Sequence, residues 1–322
     1  MSREMNLARK NPFVPALSAM VLLLLALSPF ITRSYTIILL SNIFMYVILT
    51  VSWTIFSGST GYISLASAAF FGAGIYASAF AQALPLPLVV LCGGLTSLCL
   101  ALLIGCITLR LRGVYFTIFT FGLIELLKHV ILWWEINMAG TRGRFILTAD
   151  SVTGYYAMLL IMVALLATAL IIGRSRFGLA LRSIGECEDA AAHAGINVTL
   201  VKVTAFAVSA FFIGAAGAVM ATRWNYIDPM IAFNSFYSFL PVLMAIFGDM
   251  KNLLGPIMGA AVFTYLQECL ITRFPYYYML IFGVIMVCTV LYLPGGLLGL
   301  PEKWRTRPSG EKHGNAASRR TM

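Results

Sequence analysis

The stretch YTIILLSNIFMYVILTVSWTIF, residues 35–56, contains no charged side chain. A helix of this length rises about 33 Å at 1.5 Å per residue, enough to cross a hydrocarbon core of roughly 30 Å. Comparable apolar runs fill almost all of the chain, at 12–31, 62–82, 88–109, 114–134, 154–173, 202–222, 234–248, 255–271 and 277–293. The runs at 234–248 and 255–271 are short and broken by glycine, so the pattern gives about 8–10 crossings. Of the 322 residues, 60% are hydrophobic and 11% charged, and the mean hydropathy is +0.90. A water-soluble core of this size could not hide that much apolar surface. The expected fold class is therefore an all-α integral membrane protein, a polytopic helical bundle.

Basic residues give the bundle a direction. Short cytoplasmic loops collect Lys and Arg. With ten crossings and both termini inside, 16 of the 22 basic residues fall on the cytoplasmic side, among them Arg110, Arg112, Arg174, Arg176, Arg182, Lys202 and Lys251. Arg33, Arg142, Arg144, Arg223 and Arg273 fall outside, and Lys128 lies within a span. The net charge of +10 then reflects membrane topology and attraction to anionic lipid rather than nucleic-acid binding. Residues 1–11 read as a cytoplasmic tail, 12–300 as the membrane domain and 301–322 as a flexible basic tail. The first run follows Arg9 and Lys10, and LSPFITRS, residues 27–34, lacks an A-x-A-like cleavage site, so it reads as an uncleaved helix.

The chain carries little of the vocabulary of catalysis. It has no CxxC or HExxH spacing, no GxSxG elbow, and His129, His193 and His313 are scattered, which argues against a metal site, a cofactor or a hydrolase. Cys92, Cys99 and Cys106 recur every seven residues, as small apolar packing residues on one helix face would. Transport is the remaining large class. With no GxxxxGK[ST] loop, the chain either uses an ion gradient or borrows an ATPase.

Ionisable groups inside the spans bear on that choice. Glu125 and Lys128 sit three apart in VYFTIFTFGLIELLKHVILWW, residues 114–134, and are spaced to pair on one helix. A lone carboxylate at that depth is costly, so a partner or a protonated state is expected. Two readings stay open: a structural ion pair with Lys128 snorkelling outward, or a group lining a translocation path. In FSGSTGYISLASAAFFGAGIYASAF, residues 56–80, Gly58 and Gly61 mark a turn and small residues follow along one helix. Small residues let helices approach closely in lipid, as expected also for Gly214, Gly217 and the pair Gly255 and Gly259. Irregular backbone near Ser57 to Ser64 would instead suit a water-filled cavity.

One interior passage is polar: RSIGECEDAAAHAGINVTLVK, residues 182–202. Ser183 and Glu186 form an S-x-x-E capping box, and Gly195 stands where a C-terminal glycine belongs. The spacing predicts one short amphipathic helix from Ile184 to Ala194, with Ile184, Cys187, Ala191 and Ala194 on one face and Glu186, Asp189 and His193 on another. At about 16 Å it is too short to span a bilayer. A rim of small residues suits insertion into a groove on a partner protein. A surface helix on lipid headgroups is the alternative, for which its acidic face is poorly suited.

Asp189 to Gly195, DAAAHAG, fits the EAA-x-x-x-G signature of ABC-importer permeases, with Asp in place of Glu. Residues 174–219 around it resemble the central segment of permeases for branched-chain amino acids, of the LivM type. GYISLASAAFFGAGIYASA, LRGVYFTIFTFGLIELLK, FGDMKNLLGPIMGAAV and LYLPGGLLG follow in the same order as in that family and extend the resemblance over about residues 40–300. It implies a subunit of the bacterial inner membrane that pairs with a second, homologous permease and two cytoplasmic ABC ATPases. A periplasmic substrate-binding protein would deliver the cargo. Ser183, Glu186, Asp189, Ala190, Ala191 and Gly195 would then belong to the element coupled to the ATPases, within a cytoplasmic loop of about 174–202. Ser64, Thr120 and Glu125 would be path candidates, Glu125 at the acidic position of the family. The family's GQ-SLG reads Gly61, Tyr62, Ile63, Ser64, Leu65, Ala66 here, its paired glycine reads Gly248 and Asp249, and its TGG--G reads Gly140, Thr141, Arg142, Gly143. These departures leave urea, short amides or another small polar solute open beside branched-chain amino acids, and a gradient-driven carrier using Glu125 as the less favoured mechanism.

Overall fold

A computed structural model of the chain describes residues 13–31, 34–109, 111, 113–146, 148, 150–250 and 252–292. The tails at 1–11 and 301–322, the basic residues Arg33, Arg110, Arg112 and Lys251, and most of LYLPGGLLG lie outside the described residues.

The described chain is almost wholly helical. In order it forms α1 (Phe13–Ile31), α2 (Ser34–Trp53, running on through a wide π-helical turn at Thr54–Gly58), α3 (Ser67–Phe80), α4 (Leu86–Thr108) and α5 (Val114–Trp134, with a second wide turn at Glu135–Ala139). Then come α6 (Ser151–Arg174), α7 (Arg176–Glu186), α8 (Glu188–His193), α9 (Val198–Ala221), α10 (Pro229–Ala232), α11 (Phe236–Gly248), α12 (Leu254–Arg273) and α13 (Tyr278–Tyr292). Two short strands, β1 (Arg144–Phe145) and β2 (Tyr226–Ile227), pair antiparallel with Arg144 opposite Ile227.

Among the described residues, seven stretches are long and apolar enough to cross a bilayer: Ser34–Gly58, Leu86–Thr108, Val114–Met138, Ser151–Arg174, Val198–Ala221, Pro229–Gly248 and Leu254–Arg273. The expected all-α polytopic class holds, and the helices fall at the places of the expected runs. One run differs in kind. Residues 62–82 are not a continuous helix, because the chain has no regular structure from Gly61 to Leu65 and α3 has only 14 residues.

The local chemistry explains the helix ends. Thr50 and Thr54 turn their hydroxyls back on the carbonyls of Tyr46 and Thr50, at 2.6 and 2.5 Å, which weakens and bends the ladder where α2 widens. Gly61 then takes φ +74, a conformation glycine adopts without the penalty of a β-carbon, and reverses the chain. Proline enters the first turn of α4, where its missing N–H leaves no helical bond unmade. Asn197 caps α9 by accepting from the amide of Leu200 at 3.1 Å.

Helix α9 is the axis of the bundle and is buried along most of its length, packed chiefly on α3 and α4. The contact is backbone on backbone. A β-carbon on Gly74 would lie 2.0 Å from the Gly214 carbonyl oxygen, one on Gly93 2.5 Å from Ala218 Cβ, and one on Gly217 2.3 Å from the Phe71 carbonyl. The GxxxG pair does the same for α12, with Gly255 against the Gly248 carbonyl and Gly259 against that of Met244. Close packing of small residues is thus realised at these glycines, whereas Cys99 and Cys106, expected to pack on one face of α4, are exposed. By contrast α5 turns Tyr115, Ile118, Leu126 and Trp133 outward, and α4 turns out Leu103 and Ile107, as a surface facing lipid or another apolar chain would.

Candidate functional site

The irregular segment between α2 and α3 carries polar main chain into the apolar bundle, and side chains from three neighbouring helices satisfy it. Trp53 Nε1 of α2 donates to the Ser64 carbonyl at 2.7 Å. From α5, Thr117 Oγ1 donates to the Ile63 carbonyl at 2.8 Å and Thr120 Oγ1 accepts from the Leu65 amide at 3.0 Å. From α11, Ser238 Oγ donates to the Leu65 carbonyl at 2.6 Å and accepts from the Ala68 amide at 2.8 Å. Ser64 and Ser57 serve the amides of Ala66 and Ser64 at 3.3 Å each. Non-helical backbone at this depth survives only where protein or trapped water replaces the lost ladder, and here hydroxyls replace it. Of the path candidates, Ser64 and Thr120 are therefore brought together and are buried.

Glu125 is elsewhere. Five residues beyond Thr120 on α5, it lies on a different side of the helix, about 140° round. It pairs with Lys128 at 2.7 Å, as the spacing led us to expect, but the exposures are the reverse of snorkelling: Lys128 is 13% exposed and Glu125 41%.

The polar passage differs from its sequence reading. In place of one helix from Ile184 to Ala194 there are two, α7 and α8, broken at Cys187, which is fully extended at φ −157 and ψ 109. The capping box does not form. Ser183 is inside α7 and its hydroxyl donates to the Leu179 carbonyl at 3.1 Å, while Glu186 ends the helix. The cap of α7 is Ser175, which accepts from the Gly178 amide at 3.2 Å. The amphipathic face is rearranged accordingly: Ile184 and Ala191 are buried, but the break turns Cys187 and Ala194 to the surface. Gly195 does end the segment in the left-handed region, at φ +84. Ser183, Glu186, Asp189 and Ala190 are exposed beside it.

Beneath this exposed surface is a polar cluster. Lys202, only 1% exposed on α9, pairs with Glu188 Oε1 of α8 at 2.8 Å. Glu188 Oε2 accepts from the Tyr62 hydroxyl at 2.5 Å, and the Lys202 ammonium stands 4.1 Å above the Tyr62 ring. Buried charge of this kind is sustained by pairing and by contact with an aromatic face. Helix α7 closes on the same place, since a β-carbon on Gly185 would meet the Ser59 carbonyl at 2.4 Å.

A second cluster lies at the opposite end of the bundle. Glu135, fully buried, accepts from the Tyr76 hydroxyl at 3.1 Å and from the Gly143 amide at 2.9 Å. Arg142 pairs with Asp228 at 2.8 Å, and that hydrogen bond raises its guanidinium further above its ordinary range. Arg144 stacks between Phe80 and Trp134, at 4.2 and 5.1 Å from the ring centroids. Arg223 donates to Asn42 at 3.2 Å, and burial lowers its pKa. Asn42 borders a cavity of about 230 Å³ shared with Tyr46, Trp224, Tyr237, Gln267 and Glu268.

Tyr62, Glu188, Lys202, Ser238 and Glu135 were not singled out from sequence. Glu135 carried a signal, an acid directly after a Trp pair at a span's end. The others did not, because their partners are far away in the chain.

The matched family model is described as the permease component of branched-chain amino acid transport systems, and it covers residues 35–290. Over 340 residues the chain is 26% identical to the high-affinity branched-chain amino acid transport system permease protein LivM of Salmonella typhimurium, covering 92% of this chain and 78% of that one. Against the LivM protein of Escherichia coli K12 it is 27% identical over 338 residues, 92% of this chain and 76% of that one. The LivH permease of the same strain is 26% identical over 156 residues, 47% of this chain and 50% of that one. No solved structure matches the chain.

Proposed function

We propose, from the premise that this chain belongs to the family of permease components of branched-chain amino acid transport systems, that it is one membrane half of an ATP-driven importer for branched-chain amino acids. A second, homologous permease completes the pore, two cytoplasmic ABC ATPases supply the energy, and a periplasmic binding protein presents the substrate. The membrane is the bacterial inner membrane, and both termini are cytoplasmic. The existence of both LivM and LivH among the relatives supports a paired permease.

The observation that carries this reading is the exposed α7–α8 surface, in a chain whose sequence has no phosphate-binding loop of its own. Ser183, Glu186, Asp189, Ala190, Ala191 and Gly195 make the element that enters an ATPase cleft. Its polar rim and open left-handed glycine suit a partner surface better than a lipid one. When ATP draws the ATPases together, α7 and α8 move and the membrane cavity changes its accessible side. Ser64 and Thr120 border the part of the bundle that changes, and Glu125, the third path candidate, stands on another side of α5 paired with Lys128.

The test is reconstitution. The chain, its partner permease and the ATPases are placed in liposomes, and ATP hydrolysis is followed as binding protein and leucine are added. Leucine-dependent stimulation is expected. Stimulation by urea alone would transfer the reading to another cargo of the same family. Uptake that continues without ATPases and collapses with an uncoupler would overturn it.

A further inference from the structure

We propose that Tyr62, Glu188 and Lys202 form the contact that passes movement of α8 into the irregular segment that precedes α3, and that these three are positioning residues for transport. The proposal rests on the reading of α7 and α8 as the ATPase-facing element.

Glu188 divides its carboxylate between two elements: Oε1 holds Lys202 of the axial helix α9 at 2.8 Å, and Oε2 holds the Tyr62 hydroxyl at 2.5 Å. Lys202 closes the triangle by standing 4.1 Å over the Tyr62 ring. Such a cluster is directional. A carboxylate gripped at both oxygens cannot shift with α8 without pulling on Tyr62 or on Lys202. Gly185 of α7 abuts the Ser59 carbonyl, so the second helix presses on the same turn.

Tyr62 begins the segment whose main chain is held by hydroxyl and indole groups rather than by a helical ladder. Displacing it acts on the bonds to Thr117 and Thr120 of α5, Trp53 of α2 and Ser238 of α11. Bonds of that kind can exchange partners one at a time. A continuous helix would have to break its own ladder to move in the same way. Residues 62–66 are thus the element able to take two arrangements, and three crossings meet on it. A pathway claim needs an element of that sort and a measured coupling, not proximity alone.

The experiment uses the whole complex, with Tyr62→Phe, Glu188→Gln and Lys202→Met, singly and in pairs. Four quantities are read: ATPase retained on purification, basal hydrolysis, hydrolysis stimulated by loaded binding protein, and leucine moved per ATP. For Tyr62→Phe and Glu188→Gln we expect the ATPases to be retained and basal hydrolysis to change little, while leucine moved per ATP falls about tenfold, within the usual range of coupling energies. The Tyr62→Phe and Glu188→Gln pair should be no worse than either change alone. An unchanged transport ratio in an intact complex would overturn the proposal, and so would a parallel loss of all four quantities, which marks a purely structural cluster. If Glu188→Gln fails to assemble, the apolar pair Glu188→Leu with Lys202→Met removes both charges together and must still be uncoupled. A wild-type chain that never retains the ATPases overturns the functional reading instead, and is distinguishable because no variant is needed to see it.

Discussion

Thr120 Oγ1 accepts the amide hydrogen of Leu65 at 3.0 Å and returns its own proton to the Thr117 carbonyl, also at 3.0 Å. One hydroxyl on α5 therefore substitutes for a missing helical bond in the segment that precedes α3. Thr120→Val keeps the shape and leaves the Leu65 amide buried without an acceptor, at a cost of about 1 to 3 kcal/mol. Thr120→Ser keeps the oxygen and should lose less than half of that. Thermal unfolding of the two variants in detergent checks the order. Equal stability of Val and Ser would show that this bond does not hold the irregular segment.

The approach of Gly74 to Gly214 sets a second expectation. A β-carbon on Gly74 would lie 2.0 Å from a backbone carbonyl oxygen, which cannot swing aside as a side chain can. Gly74→Ala must push α3 away from α9, with a loss of about 1 to 3 kcal/mol typical of overpacking. At Gly122 of α5 a β-carbon would meet nothing within 4 Å. Gly122→Ala should therefore be neutral or slightly stabilising, through the better helix propensity of alanine. The contrast in melting temperature between the two variants separates close packing from helix propensity.

The positions of the crossings and the small-residue seams were legible in the sequence because both depend on short-range pattern: runs of apolar residues, and glycines spaced along one face. The break before α3 was half legible. Gly58 and Gly61 marked a turn, yet the apolar residues after it read as helix, and the hydroxyls that satisfy the main chain of Ile63 to Leu65 outside a helix come from α5 and α11. The capping box failed for a related reason. Arg176 to Leu181 continue helix upstream of Ser183, capped by Ser175, so Ser183 falls inside a helix instead of before one. Lys202 read as one more cytoplasmic charge. Its burial depends on Glu188 and on Tyr62, which is 126 residues from Glu188, a pairing that no local pattern announces.

Asp249 is the non-glycine residue with positive φ among the described residues, at φ +80 and ψ 108 after the end of α11. A side chain in that region stores strain on the order of 1 kcal/mol or more. Asp249→Gly should raise stability by about 1 kcal/mol, and Asp249→Val should lower it by more than that, since a β-branched residue tolerates positive φ least. Chemical denaturation in detergent measures both. An Asp249→Gly variant less stable than the parent would mean that the carboxylate's own contacts outweigh the backbone strain.

Gly195 offers the sharpest separation of folding from partner binding. Its φ of +84 disfavours any β-carbon, yet a β-carbon built there meets nothing within 4 Å. Backbone strain alone then sets the folding cost, about 1 to 2 kcal/mol for an L residue in the left-handed region. Size should add almost nothing: Gly195→Ala and Gly195→Trp should unfold at similar temperatures and insert equally well. Binding should differ between them. A tryptophan projecting from the end of α8 would obstruct a partner's groove, whereas an alanine would not. ATPases should therefore copurify with the alanine variant and be lost from the tryptophan variant, with leucine uptake following the same order. A tryptophan variant that retains the ATPases and transports at the parental rate would place the docking surface away from residues 189–195.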